Sequence, residues 1–487
     1  MSQTLRNKEG NVAKTSKGLI FILLAAAQFM VVLDVSIVNV ALPAIKQSLG
    51  FDVQTLPWAI TAYALAFGGF LLLGGRASDL FGRRRTLLVG MTGFSVFSLL
   101  LGLAPTAESL IVLRALQGLS AALMSPAALS LVIVNFAEGS ERNRAFGMWT
   151  TVATAGAAVG LLLGGMLSQY LSWRWNFFIN VPAGIIDALL ILRFVPETAK
   201  TVEHKHLDLS GAVLVTTGLI TLDFAITQGP EWGWLSPAIL GSLLLAVGLL
   251  LAFVWNERRS SHPLIPLSIF KNRNLTGANL MMAPIYAAMM GMFFLLSLYV
   301  QAVLHYSPVM TGLAFLPFPI IMGLTSSQVS RFVTKFGFRK FLLVGPVLVA
   351  LALAWLARVP VAGSYWTDVF PAVVLMPLGM GMTFMPLVAA ATTGIESRNA
   401  GLASGLINTS QMMGGALGLA LLTGISASVG RGDLDPLVNL VKGYSAAFVT
   451  GVAFVLFALV LAVAVIRSKK RTDRGPGQPE AEMPLVE

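Results

Sequence analysis

Apolar residues gather into fourteen long runs, near 19–43, 57–74, 86–104, 109–134, 145–169, 177–196, 209–228, 236–256, 274–300, 308–328, 341–357, 367–389, 402–425 and 444–466, with short polar segments between them. A helix of about 20 apolar residues crosses a hydrocarbon core of about 30 Å. The pattern therefore predicts an all-α integral membrane protein. The first run closes on Leu33-Asp34-Val35-Ser36-Ile37-Val38-Asn39-Val40-Ala41-Leu42-Pro43, which places Asp34 inside the bilayer. A carboxylate near the middle of a membrane helix costs roughly 2.5–3.5 kcal/mol on insertion scales, so it faces the bundle interior and marks an ion, proton or substrate path. Out of water it can hold and release a proton where a surface Asp would not. A purely structural partner for Asp34 is the plainer alternative.

Composition agrees. Of 487 residues, 56% are hydrophobic and 11% charged, against about 25% charged in soluble domains. Cysteine is absent, which excludes disulfides and thiolate metal sites. Of the four histidines, His204 and His206 share a charged loop and read as solvated rather than metal-binding; His262 and His305 stand alone. Arg6, Lys8, Lys14 and Lys17 precede the first run, but no small-residue cleavage site follows it, so it reads as a retained helix.

A net charge of +11 raises the question of nucleic acid, and its placement answers no. With the N-terminus inside, the cytoplasmic segments hold 27 of the 33 Lys and Arg. The outer segments hold Lys46, Arg174, Arg358, Arg431 and Lys442, and Arg114 lies within a run. That is the positive-inside pattern. Fourteen crossings put both termini in the cytoplasm, and the basic tail Arg467, Lys469, Lys470, Arg471, Arg474 agrees. Thr472 to Glu487 reads as disordered.

The loop after the second run, Gly75-Arg76-Ala77-Ser78-Asp79-Leu80-Phe81-Gly82-Arg83-Arg84-Arg85, sets one acid among four Arg between glycines. It suggests a charge-locked connection, or only a topology signal. A related copy stands 255 residues later, where Gly337 matches Gly82, Arg339 matches Arg84 and Thr334 replaces Asp79. Repetition at that distance predicts two homologous halves of six helices, the plan of many secondary transporters. The chain then divides into 1–18, a cytoplasmic segment; 19–196, the first half; 197–273, an inserted helix pair with linkers; 274–466, the second half; and 467–487, the tail.

The fourth run carries Arg114, Gln117, Gly118, Ala121, Ala122 and Ser125 on one helical face. A buried guanidinium there needs an anion, water or backbone carbonyls. In the fifth run Gly156, Gly160 and Gly164 recur at intervals of four, followed by Gly165, a spacing that lets membrane helices approach closely. The seam either only packs or also slides. Trp173 to Pro182 reads as an aromatic turn at the membrane interface. Asp187 in the sixth run and Asp223 in the seventh can each bind a cationic substrate or a second proton; with Met30 and Gln117 they are the substrate-binding candidates. Met281, Met282, Met289, Met290, Met292, Met376, Met380, Met382 and Met385 suit an adaptable pocket, or simply fill core and lipid-facing positions. Gly401, Gly405, Gly414 and Gly418 predict another close seam.

Together these motifs resemble those of the fourteen-helix drug:proton antiporters of the major facilitator superfamily. Leu33 to Pro43 is similar to their first-helix signature and Gly75 to Arg85 to the superfamily's loop motif. Leu110 to Gly118 resembles the helix 4 proton-transfer motif, and Gly156 to Gly165 the helix 5 antiporter motif. The resemblance spans about residues 18 to 466. It implies export driven by inward proton flow, with Asp34 and Arg114 as the proton-coupling pair. Gly75, Asp79, Gly82, Arg83 and Arg84 would form a conformational lock. One departure stands out: the antiporter motif carries Pro after its central Gly, and here Leu161 follows Gly160.

The expected function is proton-coupled export of lipophilic, cationic drugs or natural products through the plasma membrane by a monomer, with no cofactor, metal or nucleic-acid partner. The chain has no Gly-Lys pair, so the phosphate loop G-x-x-x-x-G-K cannot occur and ATP is not the direct fuel. The rivals are a symporter or narrower exporter of the same fold and, remotely, a membrane enzyme or scaffold, for which no soluble catalytic domain speaks.

Overall fold

The computed structural model describes residues 17–52, 55–136, 140–197, 208–260, 263–393, 395, 400–430 and 435–465. His204, His206, His262 and the basic tail lie outside them. Fourteen helices are long and apolar enough to cross a membrane, and no strand occurs among the described residues. We label them α1 (Lys17–Leu49), α2 (Trp58–Phe81), α3 (Arg83–Gly102), α4 (Ala107–Asn135), α5 (Arg144–Tyr170), α6 (Trp175–Phe194), α7 (Leu209–Trp232), α8 (Pro237–Arg259), α9 (Arg273–Ala302), α10 (Pro308–Ser330), α11 (Phe338–Leu356), α12 (Tyr365–Thr392), α13 (Leu402–Val429) and α14 (Pro436–Ala464).

Each matches one apolar run, but α1, α2 and α14 reach well beyond theirs; α2 continues from residue 74 to Phe81 and α3 begins at Arg83, so the expected Gly75–Arg85 loop is helical except at Gly82. α1 continues through Pro43 to Leu49, and α14 starts at Pro436 rather than near residue 444. Proline removes only one N–H from the ladder, and packed neighbours tolerate the gap within a membrane helix. At the start of α14 the Asp435 side chain caps Leu437 N at 2.8 Å, and Pro436 occupies the first turn, where no N–H partner is needed.

Helices α1–α6 pack together, as do α9–α14. The two groups meet along three seams, α1 with α9, α2 with α13, and α5 with α10. The inserted pair is asymmetric. α7 lies against both α2 and α13, over one of those seams, whereas α8 packs on α7 and turns Leu240, Leu244, Leu245, Val247 and Leu251 outward. In a bilayer that apolar face meets lipid.

Small residues set the close approaches. Gly118 of α4 lies against the Tyr63 carbonyl, Gly74 of α2 against the Ala122 carbonyl, and Gly90 of α3 within 2.8 Å, at its missing Cβ, of the Ser120 carbonyl. The antiporter-type glycines of α5 face α1: the missing Cβ of Gly156 lies 3.2 Å from Phe29 O, that of Gly160 2.9 Å from Leu33 O and that of Gly164 2.7 Å from Ile37 O. This seam therefore grips the turn of α1 that carries Asp34. Gly165 points elsewhere, to Pro308 of α10. In α13, Gly414 and Gly418 approach Ala283 and Ala287 of α9, and Gly405 approaches Leu72 of α2.

The repeated loop recurs in space. Gly82 ends α2 at φ +102° and Gly337 precedes α11 at φ +75°, a left-handed conformation that favours glycine at both matched positions. Near the ends of α1, α5, α9 and α10 away from the termini, the halves are sealed by hydrogen bonds. Ser297 Oγ donates to Asn39 O at 2.8 Å, Gln301 Nε2 to Val40 O at 3.2 Å, and Val309 N to Gln169 Oε1 at 3.2 Å.

The α1–α5 seam yields a direct test. Gly160→Val drives a branched side chain into the Leu33 carbonyl, and overpacking of this kind costs roughly 1–3 kcal/mol. Gly241 of α8 has nothing within 4 Å of its missing Cβ. Thermal melting of the detergent-solubilised variants should show a clear loss for Gly160→Val and an unchanged or slightly raised midpoint for Gly241→Ala.

Candidate functional site

Asp34 is the eighteenth of the 33 residues of α1 and has no exposed surface. α4 brings Arg114 to it. Arg114 Nη1 donates to Asp34 Oδ2 at 2.6 Å and to Gln117 Oε1 at 2.6 Å, while Nε donates to the Ala59 carbonyl of α2 at 2.9 Å. The other carboxylate oxygen accepts from Gln117 Nε2 at 2.9 Å and from Asn180 Nδ2 of α6 at 3.0 Å. Gln117 Nε2 also donates to Ser98 Oγ of α3 at 2.9 Å, and Ser98 donates on to Phe94 O at 2.7 Å. The guanidinium lies 4.4 Å from the centre of the Tyr63 ring and 5.9 Å from that of Phe177.

Arg114 is 1% exposed, and Gln117, Ser98 and Asn180 are equally sealed. Two opposite charges in a medium this dry attract strongly, but each has also lost its hydration. The network restores it: three donors on the carboxylate, and a carbonyl, an amide oxygen and a π face on the guanidinium. Side chains or backbone groups of α1, α2, α3, α4 and α6 take part, so one ion pair ties five of the six helices of the first half.

Beside this network, and separate from it, lies a cavity of about 480 Å³ between the halves. α1 contributes Gln28, Val31, Val32, Val35, Ser36 and Asn39 to its wall. Phe67 of α2, Ser125 of α4, Trp149 and Leu161 of α5, Tyr286 and Met290 of α9, Phe318 and Met322 of α10, Phe384 of α12, and Asn408 and Gln411 of α13 are among those that complete it. The cavity runs from mid-span toward the termini side of the seal described above. It holds aromatic rings, thioethers, amides and hydroxyls, and among the described residues no Asp, Glu, Lys or Arg lines it. Asp34 does not line it either, although its neighbours Val35 and Ser36 do.

None of the four substrate-binding candidates lines this cavity. Gln117 serves the Asp34 carboxylate instead. Met30 is buried within the first half, its methyl 3.2 Å from the missing Cβ of Gly184 on α6. Asp187 is 5% exposed on α6, and its Oδ2 has no hydrogen-bond partner. Asp223 is fully buried on α7, with the Thr61 hydroxyl 3.4 Å from Oδ2. A cation in the cavity meets neither acid, because α6 and α7 contribute nothing to its wall. Of the methionines singled out in the sequence, Met289, Met290 and Met385 line the cavity, whereas Met281, Met282, Met292, Met376 and Met380 fill the core.

The glycine-flanked loop is tied within its own half. Arg83 Nη2 donates to Asp79 Oδ1 at 3.3 Å, and Arg84 Nη1 to the Val195 carbonyl at 2.8 Å. Arg84 and Arg85 also flank Glu197, at 3.4 and 3.7 Å. Gly82 leaves room for that carboxylate, since its missing Cβ would lie 2.7 Å from Glu197 Oε1. Gly75 faces Pro126 of α4.

A family model described as Major Facilitator Superfamily matches residues 24–419. The puromycin resistance protein pur8 of Streptomyces alboniger is 40% identical over 463 residues, 93% of this chain and 91% of that protein. The cephamycin export protein CmcT of Amycolatopsis lactamdurans is 37% identical over 96% of both chains. Among solved structures, an inward-facing, unoccupied bacterial homologue of the human lysosomal transporter Spinster aligns with TM-score 0.66 at 14% identity, over 92% of this chain and 97% of that one. A peptide transporter POT with sulfate aligns with TM-score 0.68 at 15% identity, over 92% of this chain and 94% of that one. At such identities these structures share the fold.

Removing one partner of a buried ion pair costs roughly 3–5 kcal/mol because the other charge is left uncompensated. Arg114→Ala should therefore lower the melting midpoint sharply, and Asp34→Asn in the same chain should restore much of the loss. Loss without rescue would mean that Arg114 stabilises the bundle through packing on Tyr63 rather than through Asp34.

Proposed function

The chain belongs to the major facilitator superfamily and is a multi-pass membrane transporter, not an enzyme; from that premise we propose that it is a proton-coupled antiporter exporting bulky lipophilic, antibiotic-like molecules from the cytoplasm. One observation carries the reading: a sealed Asp34–Arg114 network whose own helix also forms the wall of a large uncharged cavity between the halves. Two relatives are named for resistance to puromycin and lincomycin and a third for cephamycin export, which supports an antibiotic-like cargo and the outward direction.

Positive-inside placement puts the termini in the cytoplasm of a cell bounded by this membrane. The cavity then lies on the cytoplasmic side of the seal, the arrangement for loading cargo from within. A proton reaching Asp34 from outside neutralises the carboxylate, and the ion pair is lost. Arg114 keeps Gln117, the Ala59 carbonyl and the Tyr63 ring, so α4 stays tied to α2 while its hold on α1 weakens. α1 can then shift along the Gly156–Gly160–Gly164 seam, and the halves can rock about their three contacts. Once the cytoplasmic ends close, the Gly82 turn with Asp79 and Arg83, bonded in this state only within the first half, holds them. A cargo pressing on Val35 and Ser36 biases the same helix, so proton and substrate compete without touching.

The cavity selects by shape and apolarity. Rings and thioethers re-pack around varied cargo, and positive charge is not required, because no carboxylate lines the wall. The driving force suffices: a charge falling through a potential of roughly 150 mV yields about 3.5 kcal/mol, enough for a gradient of a few hundredfold. Protons are the only coupling species invoked, and the transporter acts as a monomer.

The test uses purified protein in liposomes carrying an internal pH dye and an imposed proton gradient. Adding puromycin, lincomycin or ethidium should collapse the gradient with wild type, and Asp34→Asn should abolish the response while still binding the compound. Equal proton flux in both proteins would overturn the coupling role of Asp34; uptake of compound together with protons would make it a symporter. Within the same assay Phe384→Ala should weaken cargo binding by roughly tenfold, about 1.4 kcal/mol. Asp187→Asn should leave the preference among cationic and neutral compounds unchanged.

A further inference from the structure

The inserted helix α7 carries a polar stripe that the reading above does not use. Thr216, Asp223 and Thr227 are spaced seven and four apart, so they share one helical face. They are 4%, 0% and 2% exposed. Among the described residues, the hydroxyls of Thr216 and Thr227 and the Oδ1 of Asp223 have no hydrogen-bond partner, the Thr61 hydroxyl lies 3.4 Å from Oδ2, and no ion pair is made to the carboxyl. α13, which packs on α7, has no titratable side chain over Leu402–Val429. α2 offers Tyr63, whose hydroxyl is itself unpartnered, while its Arg76 and Asp79 sit at the far end of the helix. α8 offers Glu257, Arg258 and Arg259, all at the end where Glu257 meets Gly211, twelve residues from Asp223 and thus about 18 Å away along the helix. On α7 itself Glu231 is exposed, eight residues on.

An unpaired carboxylate in such a place is far costlier than a neutral carboxylic acid. Its position is also informative. On α2, Ala59 and Tyr63 face Arg114 and Thr61 faces Asp223, so the same turn is pressed between the Asp34–Arg114 network and a second buried acid. α7 bridges the α2–α13 seam, which joins the two halves.

We propose that Asp223 is a second proton-binding site, carried by the inserted pair and distinct from both the Asp34 network and the cargo cavity. In the packed state the proton resides on the Asp223 carboxyl beside Thr61. When the halves move, the α2–α13 seam opens under α7, water reaches the stripe of Thr216, Asp223 and Thr227, and the carboxyl releases its proton. No covalent bond other than O–H is made or broken. The cycle then carries a second proton, and the inserted pair supplies an ionisable group to the moving seam rather than only extra lipid contact. The site rests on its own geometry, and the transport part of its test rests on the antiport reading.

Infrared difference spectroscopy of purified full-length protein in lipid, recorded across a pH step, reads a buried protonated carboxyl directly and does not depend on transport. Wild type should show a carboxylic C=O band that the pH step changes. Asp223→Asn, which matches the neutral acid in shape and hydrogen bonding, should lose that band; Asp34→Asn should retain it, and Thr61→Val should shift its frequency. Absence of the band from wild type, or its persistence in Asp223→Asn, would overturn the proposal. In the liposome assay the pH midpoint of ethidium-driven proton flux should move in Asp223→Asn, whereas Asp34→Asn abolishes flux. Loss of the band with an unmoved midpoint would leave a permanently neutral structural acid and would equally overturn a proton that cycles.

Discussion

The architecture of the first half depends on satisfying two opposite charges inside a bilayer. Asp34 and Arg114 meet at 2.6 Å with almost no exposure. Neither can be left alone there, and a bare ion pair would not recover its hydration. The remaining lone pairs and N–H groups are met by Gln117, Asn180 and the Ala59 carbonyl, which places α2 and α6 as firmly as α1 and α4. The glycines follow from the same demand. Polar side chains this short reach one another only if the backbones nearly touch, as at Gly118 against Tyr63 and Gly160 against Leu33.

Satisfying the pair so fully also isolates it. The cargo cavity is walled by Val35 and Ser36 of the helix that bears Asp34, and the carboxylate itself faces away. In the proposed mechanism, coupling passes through the position of α1 rather than through a shared contact. Such indirectness fits a transporter of varied molecules: recognition is left to Phe, Met, Trp and amide groups that adapt, and the energy-transducing charge is kept out of reach of the cargo's chemistry.

Much of this was legible in the sequence because membrane constraints are written in long blocks. Fourteen apolar runs gave fourteen helices, and the two charges that no surface could explain, Asp34 and Arg114, proved to be partners. The matched glycines Gly82 and Gly337 announced a repeat, and both take left-handed φ. What was hidden depends on sequence-distant packing. Asn180 sat in an aromatic turn and read as part of an interfacial anchor, and Ser98 carried no signal in a Leu-rich run. Gln117 looked like a cargo contact because its face was known but its neighbour was not. The cavity draws scattered residues from eight helices, many of them Val, Met, Phe, Leu and Ala that are indistinguishable in sequence from core. Asp187 and Asp223 stood out as acids, but only packing shows that neither looks into the cavity.

On the proposed mechanism, cargo in the cavity expels the Asp34 proton although the two never touch. Unbuffered, detergent-purified protein held at mildly acidic pH with a pH-sensitive dye measures this directly on addition of puromycin. Wild type should release protons, and Asp34→Asn should lose the Asp34 share of that release with puromycin still bound. The same release from both proteins, or binding by wild type with no release at any pH, would contradict it.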